Sequence, residues 1–160
     1  MFADFSLYSF SLWVHISAAV VGLGATFALA VGFPLALRLD PRHLPFVHHL
    51  SRTVNQRLAG PALLVLIITG FYQAIDADSM DEAWVGATLL IAIILGGMQG
   101  AYFIPTDKRL AAMAERELAG GATSLSEDYQ RRAQREGGIG TLAGILIIVA
   151  VFLMVTKPGA

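Results

Sequence analysis

Four long apolar segments limit what this chain can fold into. They cover approximately residues 7–37, 58–75, 84–104 and 139–156. Each of them can provide the roughly 20 residues that a helix needs to cross a bilayer. The chain is 56% hydrophobic and 14% charged, which is too much apolar surface for a soluble domain of 160 residues to bury. The pattern therefore predicts a membrane protein with four spans.

The bilayer also dictates the secondary structure of these segments. In hydrocarbon, each backbone polar group needs a partner within its own segment, so the spans are expected to be helices. We predict an all-α fold that forms a single integral membrane domain over residues 1–160, with no room for a soluble enzyme domain. The chain has no cysteine, which excludes disulfides, thiolate nucleophiles, iron–sulfur clusters and cysteine-ligated zinc.

Charge is distributed unevenly over the connections between the spans. Segments 38–57 and 106–138 contain ten of the eleven basic residues, whereas connection 76–82 contains four acidic residues and no basic one. Basic connections stay in the cytoplasm as a rule, so both termini are expected to lie outside. We therefore predict a four-helix transmembrane bundle, N-out and C-out, in the cell inner (plasma) membrane.

The longer basic segment has the pattern of a short cytoplasmic helical hairpin between helices 3 and 4. Residues 107–118 continue the third span as a charged helix, which the glycines at 120–121 should end. Residues 124–127 have the spacing of a capping box and predict the start of another short helix. Gly137 and Gly138 are expected to end that helix before the last span.

The second span should begin before its apolar segment. Residues 44–58 place apolar side chains at helical spacing, which predicts a helix that enters the membrane from this stretch. Gly60 and Pro61 then predict either a kink or a fresh start of the span.

Small residues recur at a spacing of four in the third and fourth spans. Gly96 and Gly100 form one such pair, and Gly140 and Gly144 form another. Small residues at this spacing allow transmembrane helices to approach closely, and their number predicts an oligomer. Gln99 shares the small face of helix 3 and is the best candidate for an interhelical hydrogen bond in the inner leaflet.

His15 lies inside the first apolar span. An ionisable side chain is costly there and marks a candidate functional residue. Its helix face continues through Ala18, Ala19 and Gly22, and such small residues predict a face that points into the bundle. A neutral imidazole in this place can ligate a haem iron or another metal, shuttle a proton, or hydrogen-bond a neighbouring helix. The residue type alone leaves these alternatives open.

Polar residues of the neighbouring helices should lie at the depth of His15. Thr69 and Gln73 share a face at the outer end of helix 2, and Thr88 lies near the outer end of helix 3. We predict an outer-leaflet site with His15 as the metal ligand and Thr69, Gln73 and Thr88 as cofactor-binding residues. Arg57 is a further candidate cofactor contact.

The remaining histidines belong to the first basic segment, at positions 43, 48 and 49. His48 and His49 beside Arg52 predict either an interfacial basic helix or a site for an anionic headgroup or propionate. At 1.5 Å per residue, His15 and His48 should be about 20 Å apart, which argues against one haem held by both. No acidic pair lies inside the predicted spans, so the sequence does not predict a carboxylate cation site there.

Three motifs give the chain a resemblance to known membrane proteins. They are LWVHI at residues 12–16, NQRLAGPA at 55–62 and ITGF at 68–71. With them, helices 1 to 3 resemble a broad group of small bacterial membrane proteins. The group includes the HemJ-type protoporphyrinogen oxidases, the CopD-like copper-resistance proteins and a predicted integral membrane family of unknown function.

The resemblance implies a helical bundle in which His15 ligates haem b for redox or tetrapyrrole handling. The HemJ-type oxidases also have a lysine in the third helix, whereas residues 84–89 contain none, which argues against oxidase activity. The lack of cysteine and of a Met/His cluster argues against copper handling. The family of unknown function therefore fits best, and whether the chain is an enzyme stays open.

A second hypothesis is a non-catalytic accessory or scaffold subunit of a larger membrane complex. The small size, the few polar residues in the spans and the helical hairpin favour it. In either case we expect the lipid bilayer as a partner, together with further copies of the chain or a larger membrane complex, and no nucleic acid.

Overall fold

The computed structural model describes residues 6–159, which form four long helices and no strand. Each helix is long and apolar enough to cross a membrane. The predicted all-α fold with four candidate spans is therefore confirmed for this part of the chain. The helices are α1 (Leu7–Ala36), α2 (Pro41–Asp76), α3 (Ala83–Ala119) and α4 (Glu127–Thr156).

Large apolar side chains cover the outer surface of the helices. In the apolar window of each helix, only 6% to 11% of the residues are buried inside the protein. Val31, Leu64 and Phe152 are examples of apolar side chains that are largely exposed. Soluble monomers rarely expose apolar patches of this extent, whereas lipid chains cover them without cost. The exposed surface is that of an integral membrane protein.

The four helices pack as antiparallel neighbours joined by short connections. The first half of α1 lies along the second half of α2, and the first half of α3 lies along the second half of α4. At the opposite end, the start of α2 packs against the end of α3. We call this the basic end, and the end with connection 77–82 the acidic end.

Helices α1 and α2 approach closely where Gly22 faces Ala62. Both residues are buried, and a Cβ atom added at Gly22 would collide with the Cβ atom of Ala62. Small side chains allow two transmembrane helices to gain van der Waals contact over their backbones. Gly22 thus sets the distance between α1 and α2.

Among residues 6–159, three helices widen into a π-helical turn, at Ala19–Leu23, Asn55–Ala59 and Met98–Phe103. The second and third of these turns each end two residues before a proline, Pro61 or Pro105. A proline ring in a regular α-helix clashes with the carbonyl four residues earlier, and a wider turn relieves that clash. Helix α2 therefore continues through Pro61, and no new helix starts there.

The π-turn of α2 provides a polar connection to α3. The carbonyl of Asn55 accepts a bond from the backbone N–H of Gly60, five residues later. It also accepts one from Gln99 Nε2 of α3 at 2.8 Å. A carbonyl oxygen has two lone pairs, so both bonds can form. The predicted interhelical hydrogen bond of Gln99 is confirmed.

A compact hydrophobic core lies at the basic end. It is formed where α2 begins, α3 ends and α4 begins. The two arms of the predicted hairpin are extensions of the spanning helices α3 and α4. The predicted break at Gly137 and Gly138 is wrong, because α4 is continuous from its N-cap Ser126. A glycine inside a helix costs only about 1 kcal/mol, which packing on both sides outweighs. The core residues are Ala36, Leu44, Leu110, Ala114, Leu125, Tyr129 and Ala133.

The contact between Gly22 and Ala62 gives a test of this packing. We expect Gly22→Ala to lower the free energy of unfolding by about 1–3 kcal/mol, because the added methyl group overpacks the contact. Gly24→Ala is the matched control, since a Cβ atom there meets nothing within 4 Å. Thermal unfolding in detergent, followed by circular dichroism, measures both. Equal melting temperatures for the two variants would contradict the packing.

Candidate functional site

His15 of α1 is held by a hydroxyl group of α2. Its Nδ1 atom lies 2.7 Å from Thr69 Oγ1, and the imidazole is half-buried. The Thr69 hydroxyl donates its proton to the carbonyl of Val65 at 2.7 Å. With its proton on that carbonyl, the Thr69 oxygen is an acceptor for Nδ1–H of His15, in the tautomer that leaves the lone pair of the neutral ring on Nε2. The predicted proximity of His15 and Thr69 is present in the structure.

A glycine lets α2 approach the imidazole. A Cβ atom added at Gly70 would lie 3.3 Å from Cε1 and 3.8 Å from Nδ1 of His15. This spacing is tighter than an ordinary van der Waals contact, so a side chain at Gly70 would displace the ring. Thr69 and Gly70 together determine where the imidazole lies.

His15 lines a cavity of about 440 Å³ between the helices near the acidic end, which we call the histidine cavity. Gln73 and Thr88, which the sequence places at the depth of His15, line the same cavity. Gln73 donates to Ser11 Oγ at 3.2 Å, and Thr88 donates to the carbonyl of Trp84 at 2.8 Å. Most of the remaining wall is apolar, so the cavity suits a mainly apolar ligand.

Two polar groups lie where the histidine cavity approaches the acidic end. The indole Nε1 of Trp84 is buried and has no hydrogen-bond partner among residues 6–159. The Nζ atom of Lys157 lies 5.6 Å from the centroid of the Trp84 ring, within the range of a cation–π contact. Both residues line the cavity. An N–H donor and an ammonium group at one side of an apolar cavity favour a ligand with an acidic group.

Arg57, the remaining predicted contact, lies elsewhere. It is exposed in the π-turn of α2 and does not line the histidine cavity. Twelve residues separate it from Thr69, which corresponds to about 18 Å along the helix. The structure thus brings together His15, Thr69, Gln73 and Thr88, without Arg57.

A buried group of polar residues lies at the basic end, and we call it the His48 cluster. The Nδ1 atom of His48 lies 2.9 Å from Asp107 Oδ1, and Nε2 lies 2.8 Å from the hydroxyl of Tyr129. Ser51 donates to the second carboxylate oxygen of Asp107 at 2.7 Å. His48 is 0% exposed and Asp107 is 1% exposed. These hydrogen bonds join α2, α3 and α4.

Glu136 of α4 completes the His48 cluster. One oxygen of Glu136, one of Asp107 and one nitrogen of His48 all lie within 4.8 Å of one another. Glu136 is 7% exposed, and its Oε2 atom is buried without a hydrogen-bond partner among residues 6–159. In the described part of the chain, none of the ion pairs involves Glu136. A second carboxyl group therefore lies beside the hydrogen-bonded pair of His48 and Asp107, and burial of carboxylate charge is costly without compensation.

This cluster was not predicted from the sequence, because the first basic segment has the pattern of an interfacial helix. His48 and His49 are adjacent, but His48 is buried while His49 is exposed and pairs with Glu115 at 2.8 Å. His48 is therefore not available for a lipid headgroup. One signal was present: Asp107 and Glu136 are ionisable residues on the buried faces of amphipathic helices.

Comparison with known families gives one match. The model of a family described as "Predicted integral membrane protein (DUF2269)" matches residues 10–158. The chain belongs to this family. Membership confirms the expected family of membrane proteins without an assigned function, while the resemblance to the HemJ-type and CopD-like proteins stays a prediction. No curated protein and no solved structure matches the chain.

The two neighbouring histidines provide a test of the His48 cluster. We expect His48→Ala to lower the free energy of unfolding by about 3–5 kcal/mol, because it leaves buried carboxylates without their imidazole partner. His49→Ala breaks only an exposed pair and should cost about 0–1 kcal/mol. Denaturant or thermal unfolding in detergent compares the two variants. A similar loss for both would show that the cluster does not stabilise the fold.

Proposed function

We propose that this member of the DUF2269 family binds one haem b in the histidine cavity, with His15 as an axial ligand. One observation carries the proposal. The Nδ1 atom of His15 is engaged by Thr69, so the ring presents Nε2 as its unprotonated nitrogen beside an apolar cavity. Histidine ligands of metals are oriented in this way through their second nitrogen.

The lining of the cavity is chemically suited to a haem group. Its volume of about 440 Å³ is within the range of small-molecule and cofactor sites. Apolar walls suit the porphyrin ring, while the Lys157 ammonium group and the Trp84 N–H, which has no partner among residues 6–159, suit the acidic propionates. Haem supplies one-electron chemistry when it is bound. The residues of the chain would orient the haem and exclude water, and His15 would donate its lone pair to the iron.

The proposed role is redox or tetrapyrrole handling rather than protoporphyrinogen oxidation. The HemJ-type oxidases carry a lysine in the third helix, whereas α3 contributes Trp84 and Thr88 to this cavity. The lysine that lines the cavity is Lys157, at the end of α4. The site therefore supports haem binding, while its surroundings differ from the pattern of those oxidases.

Orientation in the plasma membrane is part of the same proposal. Basic residues are concentrated at the basic end and acidic residues in connection 77–82. The positive-inside rule then supports an N-out, C-out arrangement, with the histidine cavity in the outer half of the bilayer. Small-residue faces support a homo-oligomer or a place in a larger membrane complex.

Haem binding can be tested on the purified protein. We expect a Soret band in mild detergent that shifts on reduction with dithionite and disappears in His15→Ala. His43→Ala, at an exposed histidine near the basic end, is the matched control and should keep the band. Absence of a Soret band in folded wild-type protein, with haem supplied during expression, would overturn the proposal. The accessory-subunit hypothesis would then take its place.

Topology is accessible to cysteine labelling because the chain has no cysteine of its own. We expect Met80→Cys, in the acidic connection, to react with a membrane-impermeant maleimide on intact cells. Ala122→Cys, in the exposed connection between α3 and α4, should react only after the membrane is opened. The reverse pattern would overturn the N-out, C-out orientation.

A further inference from the structure

We propose that His48, Asp107 and Glu136 form a second site, which binds one divalent transition-metal ion such as Zn²⁺ or Mn²⁺. The site belongs to the basic end and shares no residue with the histidine cavity. It therefore stands independently of the proposed haem function.

The geometry of the His48 cluster is close to that of a metal site. One ligand atom from each of the three residues lies within 4.8 Å of the other two. Zinc binds histidine nitrogen and carboxylate oxygen at about 2.0–2.2 Å, so its ligand atoms lie about 3.3–3.6 Å apart in the tetrahedral geometry that it prefers. His48 Nδ1 and Asp107 Oδ1 already lie 2.9 Å apart. Zinc at this site would bring the most distant of the three ligand atoms closer to the others.

The charge of the cluster calls for a dication. When both carboxylates are ionised, they and a neutral imidazole carry a formal charge of −2, and no arginine or lysine in the described chain pairs with them. Glu136 contributes a buried oxygen that has no hydrogen-bond partner among residues 6–159, in a side chain that is only 7% exposed. Buried charges in proteins are normally paired or coordinate a metal. A dication bound here would bring the net charge to zero.

Neighbouring side chains hold the ligands as outer-shell residues do in metal sites. With the metal on Nδ1, His48 donates its Nε2–H to the hydroxyl of Tyr129, 2.8 Å away. Ser51 donates to the Asp107 oxygen that faces away from the imidazole, at 2.7 Å. The ring of Phe33 meets the imidazole edge-on, with 4.9 Å between centroids. Second-shell hydrogen bonds of this kind orient metal ligands in known sites.

The donor types decide the class of ion. One imidazole nitrogen favours zinc, iron and related transition metals, while carboxylate oxygens also accept manganese. Magnesium and calcium prefer ligand sets made of oxygen alone, whereas this site includes an imidazole nitrogen. The chain has no cysteine that would select a softer ion.

The proposed site is connected to a cavity. Glu136 and Ser51 line a mainly apolar space of about 360 Å³ that also contacts Phe33 and Gln99. Three protein ligands leave at least one coordination position open, as in catalytic zinc sites. An ion at this site could exchange, or bind a small ligand through an oxygen atom, from the Glu136 side.

Metal titration of the full chain in detergent tests the proposal. After removal of metal with a chelator, calorimetry should show one Zn²⁺ bound per chain, whereas Mg²⁺ at the same concentration should not bind. Glu136→Gln keeps the shape of the side chain and should weaken Zn²⁺ binding at least about tenfold, the loss usual even for outer-shell changes. Asp107→Asn should behave in the same way. Glu115→Gln, an exposed glutamate on α3, is the matched control and should bind like wild type.

A spectroscopic measurement on wild-type protein makes the test independent of variant folding. Pulsed electron paramagnetic resonance of bound Mn²⁺ should show a nitrogen coupling from one imidazole.

His15→Ala should bind Zn²⁺ normally while it loses any Soret band, which separates this proposal from the haem proposal. Two results would overturn the inference: no Zn²⁺ or Mn²⁺ binding by wild type, or wild-type affinity in folded Glu136→Gln.

Discussion

The absence of water in the bilayer core is the constraint on which the rest of this structure depends. Each backbone N–H and C=O group in that region needs a partner within the protein, which makes long continuous helices the stable solution. The π-turns show how the chain meets this demand around proline. Where α2 widens before Pro61, the freed carbonyl of Asn55 accepts bonds from Gly60 and Gln99. A local departure from regular helix thereby becomes a contact between helices.

The two ends of the bundle are held together in different ways. Along the spans, few residues are buried, and close contact between small residues such as Gly22 and Ala62 replaces the hydrophobic effect. At the basic end, water makes burial favourable again, and α2, α3 and α4 form a core of apolar side chains. Each region also contains a histidine, the half-buried His15 or the buried His48, and each imidazole is positioned by a hydrogen bond to a side chain of a neighbouring helix.

The two histidines differ in how well the sequence predicts their surroundings. The place of His15 was predictable, because it stands out in an apolar span and its small-residue face indicates which way it points. Thr69, Gln73 and Thr88 could be matched to it by depth alone, since antiparallel helices of known length bring equivalent depths together. Arg57 does not lie at the same depth, because it is about 18 Å from Thr69 along α2. His48 resembled its exposed neighbour His49, so no local pattern separated a buried residue from a surface one.

The sequence by itself determined the class of protein, the four helices and, to within a few residues, the limits of these helices at the acidic end. These properties follow from hydrophobicity and length, which are local and additive. Only the tertiary structure decided that His48, Asp107, Tyr129 and Glu136 meet. That meeting depends on the rotation and register of three helices, since a turn of about 100° per residue decides whether a side chain faces the core or the solvent. Packing sets those rotations, and packing is a property of the whole bundle.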